Sequence, residues 1–166
     1  MKKRAFTLVE LMIVVLILGI VAAVVIPTLR GHRATAREQV AKGSLETIRI
    51  QIALYRVQHD GSPPGYANGF PVPMFILQFQ FTGTTTVTGQ ASPSPVPSGP
   101  FVNGPYVREL PENPFNGLSN IAYVPVGTAF SEAVNGSTGW LYKKETAELR
   151  LNWPGTDSKG VNFYDY

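Results

Sequence analysis

The chain has 166 residues, 44% of them hydrophobic and 15% charged, enough for one modest domain and too few for two ordinary ones. Its 14 Lys and Arg against 11 Asp and Glu give a net charge of +3; Lys2, Lys3 and Arg4 alone account for the excess, so the basicity belongs to the tip and argues only weakly for nucleic-acid binding. The absence of Cys excludes disulfides, thiolate metal sites and cysteine nucleophiles, and the two histidines, His32 and His59, leave little for a zinc centre or a histidine-based triad.

The 21 residues from Phe6 to Ile26 hold a single charge, Glu10. As a helix at 1.5 Å per residue they measure about 31 Å, the hydrocarbon thickness of a bilayer. A secretory signal peptide shares the basic start and apolar middle, but its apolar region is shorter and carries no carboxylate near its start. An ionised carboxylate in such a segment costs at least ~2.5 kcal/mol on lenient insertion scales. Glu10 therefore implies a partner or a function, or else an interfacial position from which it snorkels.

The string KKRAFTLVELMIVVLILGIVAAVVIP, residues 2–27, resembles the signal of the type IV pilin and type II secretion pseudopilin superfamily. In that family a basic leader ends in a small residue and is cut just before a Phe that opens a Thr-Leu-Val-Glu pattern. The resemblance implies cleavage by a prepilin peptidase between Ala5 and Phe6, N-methylation of Phe6, and Glu10 as the fifth residue of the mature chain. Where the family's pattern has Gly before the cut, this chain has Ala5, the next smallest residue. Cleavage would leave an ammonium on Phe6 that Glu10 of a neighbouring copy could neutralise, converting two costly membrane charges into an intermolecular pair that sets register. Counting flanking cations leaves orientation open, since Arg30, Arg33 and Arg37 answer Lys2, Lys3 and Arg4. The resemblance implies a cytoplasmic leader, a single pass of the bacterial inner membrane and a periplasmic head.

Beyond Pro27, which should kink the helix, Ala41, Leu45, Ile48, Ile52 and Tyr55 recur at spacings of 4, 3, 4 and 3. That is one apolar stripe on a helix ending near His59, where Asp60-Gly61-Ser62-Pro63-Pro64 signals a turn. The stripe is expected to be a core face against the chain's own sheet, since about two heptads is short for a coiled coil. His59 falls where a helix dipole favours a cation. Residues 28–58 carry six basic and two acidic side chains, a net of +4, and residues 59–166 carry five and eight, a net of −3. Such opposition favours contacts between the stem of one copy and the head of another, or a stem solvated beside anionic lipid.

From Gly61 to Pro105 the composition turns to Pro, Gly, Ser and Thr, and GTTTVTG (83–89) and SPSPVPSGP (92–100) read as a mobile loop. FPVPMFILQFQF (70–81) is apolar enough for a short helix or a strand. Ile121 to Val126 reads as a strand, and Gly139 to Trp153 as a hairpin turning near Glu145 and Thr146, with Leu149, Leu151 and Trp153 inward and Arg150 and Asn152 wet. The expected fold class is α+β, a long N-terminal helix packed on a small antiparallel sheet. The expected divisions are 1–5 (leader), 6–27 (transmembrane half), 28–59 (amphipathic stem) and 60–166 (head), with the Pro/Ser/Thr-rich loop near 83–105.

Tyr55-Arg56, Asp60-Gly61, Pro63 and GPYVRELPENPFNG (104–117) narrow the resemblance to the major pseudopilins of type II secretion. That subfamily has an acidic calcium loop near its C-terminus, of which this chain keeps only Asp157 and Asp165, where a calcium ion needs six or more oxygens. No phosphate loop, paired carboxylates or nucleophile-base pair stands out, so no catalytic residue and no cofactor is expected. The leading expectation is a structural filament subunit whose partners are further copies, minor pseudopilins or pilins, a prepilin peptidase and the inner-membrane assembly platform. A pilin for adhesion or DNA uptake is the alternative, with Lys143, Lys144 and Arg150 as its few candidate cations among Glu145 and Glu148. A membrane-anchored periplasmic enzyme or sensor would leave the Glu10 pattern unexplained.

Overall fold

The computed structural model describes residues 7–166, except that the side chains of residues 24–32 lie outside the description. Helix α1 runs from Leu8 to Gln58. Its start is a capping box: Thr7 Oγ1 accepts the Glu10 N–H at 3.3 Å, while the Glu10 carboxylate accepts the Thr7 N–H at 2.9 Å and the Thr7 hydroxyl at 2.8 Å. Its end is a left-handed reversal in which Asp60 (φ 51) and Gly61 (φ 83) turn the chain. The Gly61 N–H closes back on the Arg56 carbonyl at 2.8 Å. Pro27 lies within α1; the kink expected there, like the Ala5 and Phe6 processing positions, falls outside the described residues.

The chain divides into two compact units, residues up to 36 and Arg37–Tyr166. In the second, the 4-3-4-3 stripe is the core face the spacing implies: Ala41, Leu45, Ile48, Ile52 and Tyr55 are all buried. Ala41, Leu45, Ile48 and Ile52 cluster with Leu77 and Phe81 of α2 (Met74–Thr82), with Trp140 and Tyr142 of β6 (Trp140–Lys143), with Leu149 and Leu151 of β7 (Glu148–Leu151), and with Phe163. The apolar run at 70–81 thus resolves into a two-residue strand, β2 (Phe70–Pro71), antiparallel to β1 (Tyr66–Ala67) and followed by α2.

The expected hairpin forms, with β6 antiparallel to β7 in the register Trp140↔Leu151 to Lys143↔Glu148. Ala147, at φ 59, closes the turn. The expected antiparallel sheet has one exception: β5 (Ile121–Tyr123) lies parallel to β6, pairing Ile121 with Trp140 and Tyr123 with Tyr142. Residues 124–139, including the short helix Phe130–Ala133, are long enough to carry the chain back to the same end of the sheet, which a parallel pair requires. Asn152 departs from the expected wet face. It is fully buried, where its Oδ1 accepts the Asn135 and Gly136 N–H groups and its Nδ2 donates to Asn135 Oδ1 and Thr138 Oγ1.

The expected mobile loop is corrected over its first part, while residues 93–100 are exposed. Thr84, Thr85 and Thr86 are buried, β3 (Thr84–Thr85) pairs with β4 (Ala91–Ser92), and Thr85 exchanges backbone hydrogen bonds with Asn103 and Val102. The organiser is Gln80 of α2, fully buried, whose Oε1 accepts the Gly65 N–H at 2.7 Å and whose Nε2 donates to the Tyr66 and Gly89 carbonyls. Polar sequence orders here because one buried amide and three threonines satisfy the backbone groups of the loop.

Candidate functional site

Among its described residues, the first unit offers an apolar surface with no buried face. From Leu8 to Val21 the large apolar side chains are about half exposed or more, between 46% at Val14 and 74% at Leu8. A helix apolar all round has no solvent side and calls for lipid or other helices. The described stretch from Leu8 to Ala23 measures roughly 24 Å at 1.5 Å per residue, and among the described residues no helix is long and apolar enough to cross a membrane. Glu10 is the only charge in that stretch, and its carboxylate is engaged by Thr7 of its own chain.

A second apolar row on α1 escaped the sequence reading. Val40, Ile50, Leu54 and Val57 are exposed at 56, 54, 43 and 81%, with Gly43, Thr47 and Ala53 also exposed. At 100° per residue they centre roughly 160° around the helix from the buried stripe. The same 3-4 spacing was legible through Val40, Gly43, Thr47, Ile50, Leu54 and Val57, but Gly43 and Thr47 interrupt its hydrophobicity. This half of α1 thus shows one apolar face to its own head and keeps another uncovered.

The residues considered for calcium are committed elsewhere. Asp157 Oδ1 accepts the Lys159 and Val161 N–H groups at 2.8 and 2.9 Å, and its Oδ2 stands 3.7 Å from Lys42 Nζ. The buried Tyr166 phenol beside it, then these two N–H groups and the Lys42 ammonium, hold its pKa down to about 2 against the opposing effect of burial. Asp165 Oδ2 accepts from Asn162 Nδ2 at 2.9 Å. Glu38, buried on α1, is turned to Ser158, accepting its N–H and its hydroxyl at 2.9 Å each. Carboxylate oxygens that face donor hydrogens do not face a cation, and among the described residues no three His, Asp or Glu side chains gather around a metal-sized space. These residues do not fit calcium.

His59 is corrected from a dipole-favoured cation to a buried neutral ring. Burial lowers its pKa, it stacks on Tyr55 at a centroid distance of 3.7 Å, and its two ring nitrogens meet the Tyr55 carbonyl at 2.7 Å and Thr85 Oγ1 at 2.9 Å. The candidate nucleic-acid cations are also engaged. Lys143 and Arg150 lie over the Phe130 ring, Lys144 pairs with Glu145 at 3.4 Å, and Arg150 pairs with Glu148 at 3.6 Å. An open cleft of about 320 Å³ between α2 and β5 is lined by Met74, Phe75, Gln78, Leu110, Asn120 and Ile121, a set with no titratable group and no nucleophile.

Within the 104–117 string, the loop LPENP (110–114), bounded by Pro111 and Pro114, has a structural role. Leu110 is buried, the Pro111 carbonyl accepts the Trp140 indole N–H at 2.9 Å, and Asn113, fully buried, donates to the Gly139 carbonyl at 3.0 Å. The motif therefore docks the loop onto the first residues of β6.

Residues 1–26 match the family model described as the prokaryotic N-terminal methylation motif. The ComG operon protein 3 homolog of Bacillus licheniformis is 30% identical over 67 residues, 40% of this chain and 69% of that relative. The type II secretion system core protein G of Aeromonas hydrophila is 27% identical over 114 residues, 69% of this chain and 68% of the relative. The protein of the same name from Pseudomonas aeruginosa is 37% identical over 62 residues, and there the chain spans less than half of the relative's length, 44%. No solved structure matches. An N-terminal methylation motif, a long helix with uncovered apolar faces and an α+β head define a class of pilin-like proteins. The chain belongs to the type IV pilin and type II secretion pseudopilin superfamily.

Proposed function

We propose that the chain is a structural, non-enzymatic subunit of a pseudopilus-like filament that serves type II protein secretion and is built by packing α1 against α1 of neighbouring copies. The observation that carries the reading is the uncovered apolarity of that helix, all round from Leu8 to Val21 and along Val40, Ile50, Leu54 and Val57. A second copy is the favoured occupant because the +4 of residues 28–58 and the −3 of residues 59–166 make the surface complementary to itself, in the heterologous geometry that builds filaments. Two of the three relatives described carry secretion in their names.

In this reading residues 1–5 are a leader and residues 6–27 cross the inner membrane. Residues 28–59 form the stem and residues 60–166 a periplasmic head. A prepilin peptidase cuts between Ala5 and Phe6 and methylates Phe6, and the inner-membrane assembly platform and minor pseudopilins are the partners. Pro27 marks the passage from lipid to periplasm. Glu10 leaves Thr7 for the Phe6 ammonium of the neighbouring copy, exchanging an intrachain hydrogen bond for a charge pair. The test is filament recovery from cells carrying Glu10→Ala. The reading expects filaments to be lost while the subunit still reaches the membrane, and normal filaments would overturn it.

A further inference from the structure

The segment 156–166 is tied to α1 by cations and donors of the chain itself. On one flank of α1, Glu38, Lys42 and Arg49 follow at spacings of 4 and 7, which places them in a row. Glu38 takes both donors of Ser158. Lys42 Nζ stands 3.7 Å from Asp157 Oδ2 and 4.2 Å from the centroid of the Tyr166 ring. Arg49 Nη2 donates to the carbonyls of Leu149 and Tyr166. Within the segment, Phe163 drops into the core, its ring 4.2 Å from that of Phe115. Here a metal would have to displace an ammonium already seated between a carboxylate and an aromatic face, and the carboxylates it needs are turned to N–H and O–H donors. The oxygen-rich shell that calcium demands is not offered.

We infer that Lys42 is the resident cation of the C-terminal loop, fastening residues 156–166 to α1 through Asp157 and Tyr166 in the place of the divalent metal that the acidic-loop resemblance implies. The head is then folded without calcium, and the fastening is lost with one side chain rather than with a chelator. Without Lys42, Asp157 keeps its two N–H donors but loses its cation, so the loss of Lys42 is felt chiefly through Asp157.

The test reads thermal unfolding of the full chain in detergent and is independent of filament assembly, so its failure leaves the proposed function standing. The wild type is melted with calcium chloride added and with a chelator added, and Lys42→Met, Asp157→Asn, the double variant and Lys42→Arg are melted beside it. The inference expects the wild-type midpoint to stay within about 1 °C under both additions. It expects Lys42→Met to lower it by about 2–4 °C and Lys42→Arg to hold most of it. The double variant should lose clearly less than the sum of the two single losses. A midpoint raised by calcium or lowered by the chelator would overturn the inference. So would Lys42→Met and Asp157→Asn losses that simply add.

Discussion

The two halves of α1 are both rich in aliphatic side chains, and they solve different problems. From Leu8 to Val21 apolar residues occupy every side and none is buried, whereas from Ala41 to Tyr55 a 4-3-4-3 row is fully covered by the head and a separate row stays open. Periodicity, more than hydrophobicity, separates a helix that folds with its own chain from one that waits for lipid or for other copies. Glu10 sharpens the contrast. It is the one charge of the aperiodic half, and a single threonine of its own chain supplies its hydrogen bonds. Glu38 in the periodic half is buried and held by a loop 120 residues away.

The largest effect expected from breaking this comparison is on assembly. Leu54→Glu and Val57→Glu place charge on the open row, and filament yield should fall at least tenfold while the unfolding free energy moves by no more than ~0.5 kcal/mol, as exposed substitutions do. Pelleted filament and a denaturant titration of the same preparations check both parts. Next in size, Ile48→Ala on the covered row should cost about 2–5 kcal/mol, readable in denaturant, whereas Ile13→Ala in the aperiodic half should leave the unfolding of the head unchanged.

Smaller effects follow from titration. Burial keeps the His59 ring neutral in the folded protein, so the unfolded chain binds a proton more readily below its ordinary pKa of about 6.5. Stability should therefore fall as pH drops through that value, and His59→Gln should flatten the midpoint-against-pH curve there. Asp157 acts lower on the scale. Its pKa is held to about 2 against about 3.9 unfolded, so its contribution is complete above that unfolded value and lost as pH falls toward 2. Asp157→Asn should remove that step from an acid-unfolding curve.

Much of this was legible in the sequence, for reasons that also explain what was not. The covered stripe of α1, the end of the helix at Asp60-Gly61, and the 139–153 hairpin are each written in apolar spacing or turn chemistry. The open row was hidden because Gly43 and Thr47 sit in it. The ordering of the Thr-rich loop was hidden because its anchors are polar: Gln80, Thr84 and Thr85 are fully buried, and a buried polar side chain looks like any surface one until its backbone partners are in place. The parallel pairing of β5 with β6 depends on where a connection returns the chain, which local pattern does not encode. Of the candidate site residues, Glu10 was legible as a costly charge. The commitment of Asp157 to Lys42 is a contact across 115 residues, which no local spacing reveals.

The central claim, a processed subunit that joins a filament through its N-terminal helix, is tested most directly by intact mass and N-terminal sequencing of membrane-extracted protein expressed with and without a prepilin peptidase. The account predicts a chain that starts at methylated Phe6 only when the peptidase is present. A chain that keeps Met1 in both cases, or one cut after Ala22 or Ala23, would contradict it.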